Sequence, residues 1–262
     1  MSPGSGDERG TRAASPGSTA LVIQECQNGV IGPDSLLPLL AEAAAPAVPL
    51  IARLAHGARQ AGVPVVHALV TTRADGYAEP RNAPLYEMAA RAGRPLLAGT
   101  PAADVVAEIG LDDRDLVVTR AGGLGPMYDT GLESLLRRLG TSTVVVAGVS
   151  VNVAILDLVL DCVNAGFEVV VPRDAVAGVP PDYAEAVIDN TLRLLARVER
   201  TEAVLAGWAR AGSTPSRCPP IRSATARSSP RLMRWPRWRW PSSRPGSTPA
   251  MSPTIRSRPP GG

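Results

Sequence analysis

Five short apolar runs, separated by segments with helical spacing, restrict this chain's fold more than any other feature. TALVIQE (19–25), PVVHALV (64–70), DLVVTR (115–120), TVVVAG (143–148) and FEVVVP (167–172) are continuously apolar instead of alternating with polar residues. That pattern suits a strand covered on both faces. Between the runs lie helical segments at 46–61, 131–139 and 151–165, each followed by a glycine (Gly62, Gly140, Gly166) where a helix end favours positive φ. Further on, Ala184, Val187, Ile188, Thr191, Leu195 and Val198 recur at three- and four-residue steps and predict one buried helical face. The expected fold class is therefore α/β: a three-layer, doubly wound, Rossmann-like, mostly parallel sheet with helices on both faces. Ligands of such sheets bind beyond the carboxyl ends of the strands.

Composition narrows the chemistry. With 262 residues, 45% of them hydrophobic, the chain can bury a sizeable core. It contains no lysine, so every cationic side chain apart from histidine is arginine, and mechanisms built on a lysine base, Schiff base or phosphate-loop amine are excluded. Up to Gly212 there are 17 arginines against 24 acids, a net −7; beyond it come ten arginines and no acid. The overall +3 thus combines an acidic body with a basic tail.

Three domains of character follow. Residues 1–18 are Gly, Ser, Pro and charge and predict a disordered leader; 19–210 form the folded domain; 211–262 form a Pro-, Ser- and Arg-rich tail, also expected to be disordered. Within the tail, RLMRWPRWRWPSSR (231–244) interleaves arginine and tryptophan, which suits nucleic acid or an anionic surface. The same composition is what GC-rich DNA read in an unselected frame produces, and that explanation is preferred, so no nucleic-acid partner is expected. No apolar stretch approaches the roughly 18 residues of a membrane span, and no membrane partner is expected. Cys26, Cys162 and Cys218 make no disulfide pattern, and a reducing cytoplasm is the expected setting. His56 and His67 lack metal-ligand spacing, so neither a metal nor another cofactor is expected. His67 lies inside an apolar strand and reads as a core histidine bonded to backbone.

Three strand ends hold the candidate chemistry: Glu25 to Asn28, Arg120 to Gly125, and Gly148 to Ala154. At the last, small residues lead from strand into helix, where free backbone N–H groups can hold a carboxylate or an oxyanion. The irregular connection 71–101, with Arg73, Asp75, Arg81 and Asn82, is either a lid over this crevice or a surface loop.

At these positions the chain resembles the isochorismatase-like, or cysteine hydrolase, superfamily. LVIQECQN (21–28), VVTRAGGLGPMYDTGLESLLRRLG (117–140) and AGVSVNVAILDLVLDCVNAGFEVVVPRDAVAG (147–178) carry the likeness, which spans roughly Thr19 to Trp208. The resemblance implies a catalytic aspartate at Glu25, with Gln24 as one extra strand residue, a lysine at Arg120 and a nucleophilic cysteine at Ala154. All three are replaced. Alanine has no atom to attack a carbonyl, so cysteine-dependent amidase activity is not expected. Cys26 should face away from Glu25, Cys162 lies two helical turns beyond Ala154, and Ser150 has no neighbouring histidine in sequence to activate it.

The resemblance also implies a branch without the cysteine, in which an acid protonates a vinyl ether and water adds to the resulting cation. Glu25 and Arg120 then serve as proton donor and carboxylate anchor, with Gln27, Asn28, Val149, Ser150 and Asn152 as substrate-binding candidates. Asn152 is also a candidate helix cap, and Gln27 and Asn28 also suit a role tying the first loop together. GLGPM (123–127) is not a phosphate loop; the likeness makes it one wall of the pocket. A catalytically inactive homologue serving as a ligand-binding or assembly partner is the alternative. A homo-oligomer, dimer or tetramer, is implied as well.

Overall fold

Thr19–Gln24 (β1) and Thr143–Val149 (β4) lie side by side at the centre of a parallel sheet, paired from Thr19↔Thr143 to Gln24↔Gly148. In this computed structural model the described residues are 15–77, 79–91, 93 and 96–212. The expected tail beyond 212 and all but the last four residues of the expected leader lie outside them; Pro16–Ser18 form one 3₁₀ turn.

Val65–Val70 (β2) and Leu116–Arg120 (β3) extend the sheet on the β1 side, and Glu168–Pro172 (β5) and Arg197–Glu199 (β7) extend it on the β4 side. The order is β3-β2-β1-β4-β5-β7, while Val176–Ala177 (β6) pairs with the carboxyl end of β4. Every pairing among these strands is parallel. The chain runs outward from β1 through β2 to β3 and then crosses back to begin the other half at β4. The strand order therefore reverses between β1 and β4, the location where a doubly wound sheet opens a crevice.

Side-chain alternation divides the core between the two faces. Leu21 and Ile23 of β1 join one cluster with Ile51, Leu54 and Ala58 of Val48–Ala61 (α3) and with Val204 and Trp208 of the final helix Thr201–Gly212. The shorter helices Asn28–Ile31 (α1) and Pro38–Ala44 (α2) add Val30, Ile31 and Leu40 to the same side. Ala20 and Val22 join the other cluster with Leu132 and Leu136 of Leu132–Arg138, with Leu158 of Leu156–Asn164, and with Val187 of Pro181–Val187. β1 and β4 are buried at every residue, as two-sided cover requires. At the sheet edge, Val117 of β3 stands half exposed. Gly62, Gly140 and Gly166 have φ of 70°, 69° and 82°, the backbone expected where the helices end.

Two expectations change. The helical face read through Val198 breaks early: after Pro181–Val187 come a π-turn (Ile188–Leu192) and Arg193–Leu195, and Ala196 is extended, with Val198 on β7. His67 is buried, but its Nε2 lies 3.1 Å from Asp115 Oδ2 and not against backbone. Arg59 of α3 closes this cluster with bonds from Nε (3.2 Å) and Nη2 (2.5 Å) to the same carboxylate, so the helix is clamped to the sheet edge. Burial lowers the pKa of His67 and outweighs the Asp115 hydrogen bond, which acts to raise it. Burial raises Asp115, yet the hydrogen bonds from Arg59, the Asp112 backbone and His67 together hold it below the usual carboxylate value. Neutral His67 donates from Nε2 to Asp115, and its Nδ1 has no partner among the described residues. Among the described residues no single helix is long and apolar enough to cross a membrane.

Two measurements follow. The unfolded chain takes up a proton on His67 near the ordinary value of 6.5 while the folded chain resists it, so stability is retained above that value and falls as pH drops below it. The melting temperature should decline between about pH 7 and pH 5, and His67→Gln, which keeps a donor for Asp115 without titrating, should flatten the decline; an unchanged slope assigns it elsewhere. At Gly148 (φ 112°) an added Cβ would lie 2.2 Å from the Gln24 carbonyl oxygen. Gly148→Ala should therefore cost about 2 kcal/mol or more, read from the denaturant midpoint.

Candidate active site

At the end of β1 the backbone turns abruptly. Glu25 has φ 51°, a left-handed conformation uncommon for a residue other than glycine and costing about 1 kcal/mol or more. Its N–H still bonds to Ala68 O of β2 (2.9 Å), so the turn begins inside the sheet. In a regular strand Glu25 would face away from Gln24; here its carboxylate meets both Gln24 and Arg120. Gln24 Nε2 donates to Glu25 Oε1 (3.0 Å), and Arg120 Nη2 donates to the same oxygen. Arg120 stands at the end of β3, and its backbone O accepts the Thr71 N–H (2.9 Å). Its guanidinium spans β2 to reach Glu25, while Nε donates to Gly123 O (3.2 Å). The side chains are only 6% and 14% exposed, so both charges depend on these bonds. Arg120 Nη1 and Gln24 Oε1 are buried without hydrogen-bond partners among the described residues.

The third strand end lies across the switch point. Val149 is fully buried, Ser150 is half-buried behind a cis peptide bond, and Ala154 is 3% exposed. The following helix opens as a π-turn, Val151–Ile155, a form frequent at functional sites. Ser150 O accepts the N–H groups of Val153 (3.2 Å) and Ile155 (3.0 Å). Asn152 does not cap this helix. Its Nδ2 reaches forward to Val179 O (3.3 Å), and its Oδ1 is buried and unpaired among the described residues.

GLGPM lies between two of these pieces. Gly123 seats Arg120, and Gly125 packs so closely on the helix after Ala154 that a Cβ would fall 1.9 Å from Asp157 Oδ2. The loop after β2 meets the same segment, since a Cβ on Gly122 would touch Pro80.

The first-loop candidates behave differently. Gln27 donates from Nε2 to Val70 O (3.0 Å) and Ala103 O (2.8 Å) and accepts the Val70 N–H (2.9 Å) through Oε1. Fully buried and bonded at both ends of its amide, it ties the first loop together and has no donor left for a substrate. Asn28 Nδ2 bonds to Pro101 O (2.9 Å) and ties the same segment. Cys26 packs into the opposite core, and burial pushes its thiol far above the usual range; burial likewise pushes Cys162 up to about 12. Neither is a ready thiolate. Among the described residues no three His, Cys, Asp or Glu side chains gather to hold a metal.

Gln24 was not anticipated as a site residue. A glutamine closing an otherwise apolar strand, next to an acid, was the available signal. One recess of about 510 Å³, lined by Thr71, Arg73, Leu97, Thr100 and Ala121 among others, abuts the carboxyl ends of β2 and β3. A second of about 740 Å³ lies between α3 and the final helix. Glu25, Arg120 and Ala154 line neither.

Comparison with known proteins agrees with this architecture. The isochorismatase domain model matches residues 19–203. An uncharacterised isochorismatase family protein of Escherichia coli O157:H7, YecD, is 28% identical over 199 residues, 72% of this chain and 95% of its own. A cysteine hydrolase from Pseudomonas syringae pv. phaseolicola 1448A superposes with a TM-score of 0.68 at 21% identity, covering 76% of this chain and 96% of its own. An isochorismatase family protein from Desulfovibrio vulgaris subsp. vulgaris str. Hildenborough superposes with a TM-score of 0.65 at 28% identity, covering 74% and 99%. Sheet order, core and the match over residues 19–203 lead to one conclusion: the chain belongs to the isochorismatase family.

Proposed function

We propose that this chain is a hydrolase that acts on a small carboxylated or carbonyl substrate without a thiol nucleophile, and that its reaction is vinyl-ether cleavage. The observation that carries this reading is the buried Glu25–Arg120 pair at the switch point, with an alanine at the position the resemblance gives to the nucleophile. Acyl transfer through a covalent intermediate needs an attacking side chain. Vinyl-ether cleavage needs an acid, a cation and water.

The unmatched Nη1 of Arg120 suits a substrate carboxylate. In this reading Glu25 is the acid that supplies the proton. Glu25 gives this proton to the terminal alkene carbon. The C=C electron pair forms the new C–H bond, and the ether oxygen delocalises the positive charge as an oxocarbenium ion. Water adds to the cationic carbon and loses a proton to the Glu25 carboxylate. The hemiketal finally passes its hydroxyl proton to the departing oxygen, releasing an alcohol and leaving a keto acid. A homo-oligomer of dimer or tetramer size and a cytoplasmic setting belong to the same reading; the free, buried Cys26 and Cys162 are compatible with a reducing compartment.

A second reading is a catalytically silent homologue that binds a ligand or assembles with a partner. It is favoured by the lining of the two recesses described above, which includes neither Glu25 nor Ala154. Turnover of isochorismate, or of a simple carboxylated vinyl ether, separates the two readings. The first predicts turnover that falls by about 100-fold or more in Glu25→Gln; full retention of rate in that variant removes Glu25 as the acid. Ala154→Cys should gain measurable esterase or amidase activity if backbone N–H groups can hold an oxyanion there. No vinyl-ether turnover by the wild type, together with no gain in Ala154→Cys, would favour the silent homologue.

A further inference from the structure

The side chain of Gln24 is buried in the sheet, at a position where strand alternation calls for an apolar residue like Ala20 and Val22 on the same face. Burying a carboxamide costs free energy unless both ends are bonded. One end is: Nε2 donates to Glu25 Oε1 at 3.0 Å. The other is not, since Oε1 has no partner among the described residues. The amide orientation follows from its neighbour, because turning Oε1 toward Glu25 would oppose two acceptors. Gln24 therefore presents a free acceptor next to the carboxylate, within the same buried network as Arg120.

We infer that Gln24 is a positioning residue of the active site: it holds Glu25 through Nε2 and orients the attacking water through Oε1. The inference rests on the vinyl-ether reading for its chemistry. Water is the group that fits, because it can donate one hydrogen to Gln24 Oε1 and the other to the Glu25 carboxylate. Two such partners leave the water oxygen's lone pair for the oxocarbenium carbon, and two to four polar partners are usual for an enclosed water. The hydrogen facing Glu25 is the one transferred as the C–O bond forms. The hydrogen facing Gln24 stays on the new hydroxyl and later leaves with the alcohol. The backbone serves the same end. The left-handed turn at Glu25 brings its carboxylate to Gln24, and Gly148 lets β4 approach the Gln24 backbone.

The test uses the full chain and Gln24→Met, which keeps the length of the side chain and removes both polar atoms. With wild type turning over a carboxylated vinyl ether, Gln24→Met should lower kcat on the order of 100-fold while KM stays within about twofold. Unchanged kcat in an active, folded variant would overturn the assignment and leave the vinyl-ether reading intact. A crystal structure of the wild type at high resolution provides a readout independent of activity. A water within about 3.2 Å of both Gln24 Oε1 and a Glu25 oxygen supports the role. Gln24 Oε1 dry, or bonded to a protein group, overturns it. That structure decides the matter if Gln24→Met fails to fold, whereas a wild type inactive on vinyl ethers overturns the reading on which the water's role rests.

Discussion

The close approach of β1 and β4 is the constraint on which the site depends. Six consecutive residues of each strand pair in parallel register, ending at Gln24↔Gly148, where only hydrogen on the β4 residue leaves room for the Gln24 backbone. Because the strand order reverses here, the chain leaves β1 and β4 toward different halves of the sheet, the place where doubly wound sheets generally form their ligand crevice. Glu25 turns at this point through a left-handed backbone, and β4 runs into a π-turn that carries Ala154. The fold thus delivers a carboxylate and an alanine to adjacent strand ends before any particular chemistry is considered.

Arg120 links that centre to the sheet edge. Its charge stabilises Glu25 in a place with little solvent, and its bond to Gly123 anchors the loop that packs on the helix after Ala154. Removing either charge would leave the other buried and unpaired, a larger penalty than the net worth of the pair. Gln24 completes the arrangement with one donor used and an acceptor that has no partner among the described residues. The opposite end of the sheet is organised by Arg59, Asp115 and His67, which clamp α3 to the β2–β3 edge. The two polar networks differ: one ties a helix to the sheet edge, and the other holds the buried Glu25–Arg120 pair at the strand ends.

What could be read from the sequence follows from where burial is decided. The five strands are legible because two-sided cover imposes uninterrupted apolar runs, and the helix ends are legible because glycine alone adopts positive φ at low cost. β7 was hidden because Val198 continues the three-residue step from Leu195, although the chain has already become extended at Ala196. β6 is two residues long and is defined by its neighbour β4. Glu25, Arg120 and Ala154 were legible as strand-end residues, whereas Gln27 could not be told from a ligand contact until Val70 and Ala103 were seen to occupy its amide. His67 finds its partner 48 residues away in Asp115, a separation that local pattern does not encode. Asn152 stands at a plausible capping site, but the helix opens as a π-turn behind Ser150 and the side chain reaches Val179 instead.

In the proposed vinyl-ether cleavage, carbon protonation by Glu25 is the step that sets the reaction apart from every acyl-transfer alternative. Hydrolysis of a carboxylated vinyl ether in deuterated water, followed by NMR of the early product, tests it most directly. Carboxyl protons exchange with solvent, so the account predicts a keto acid whose methyl group carries one deuterium, released by the wild type and lost in Glu25→Gln. A keto acid released with an unlabelled methyl group, or the same labelled product at the same rate from Glu25→Gln, would contradict it.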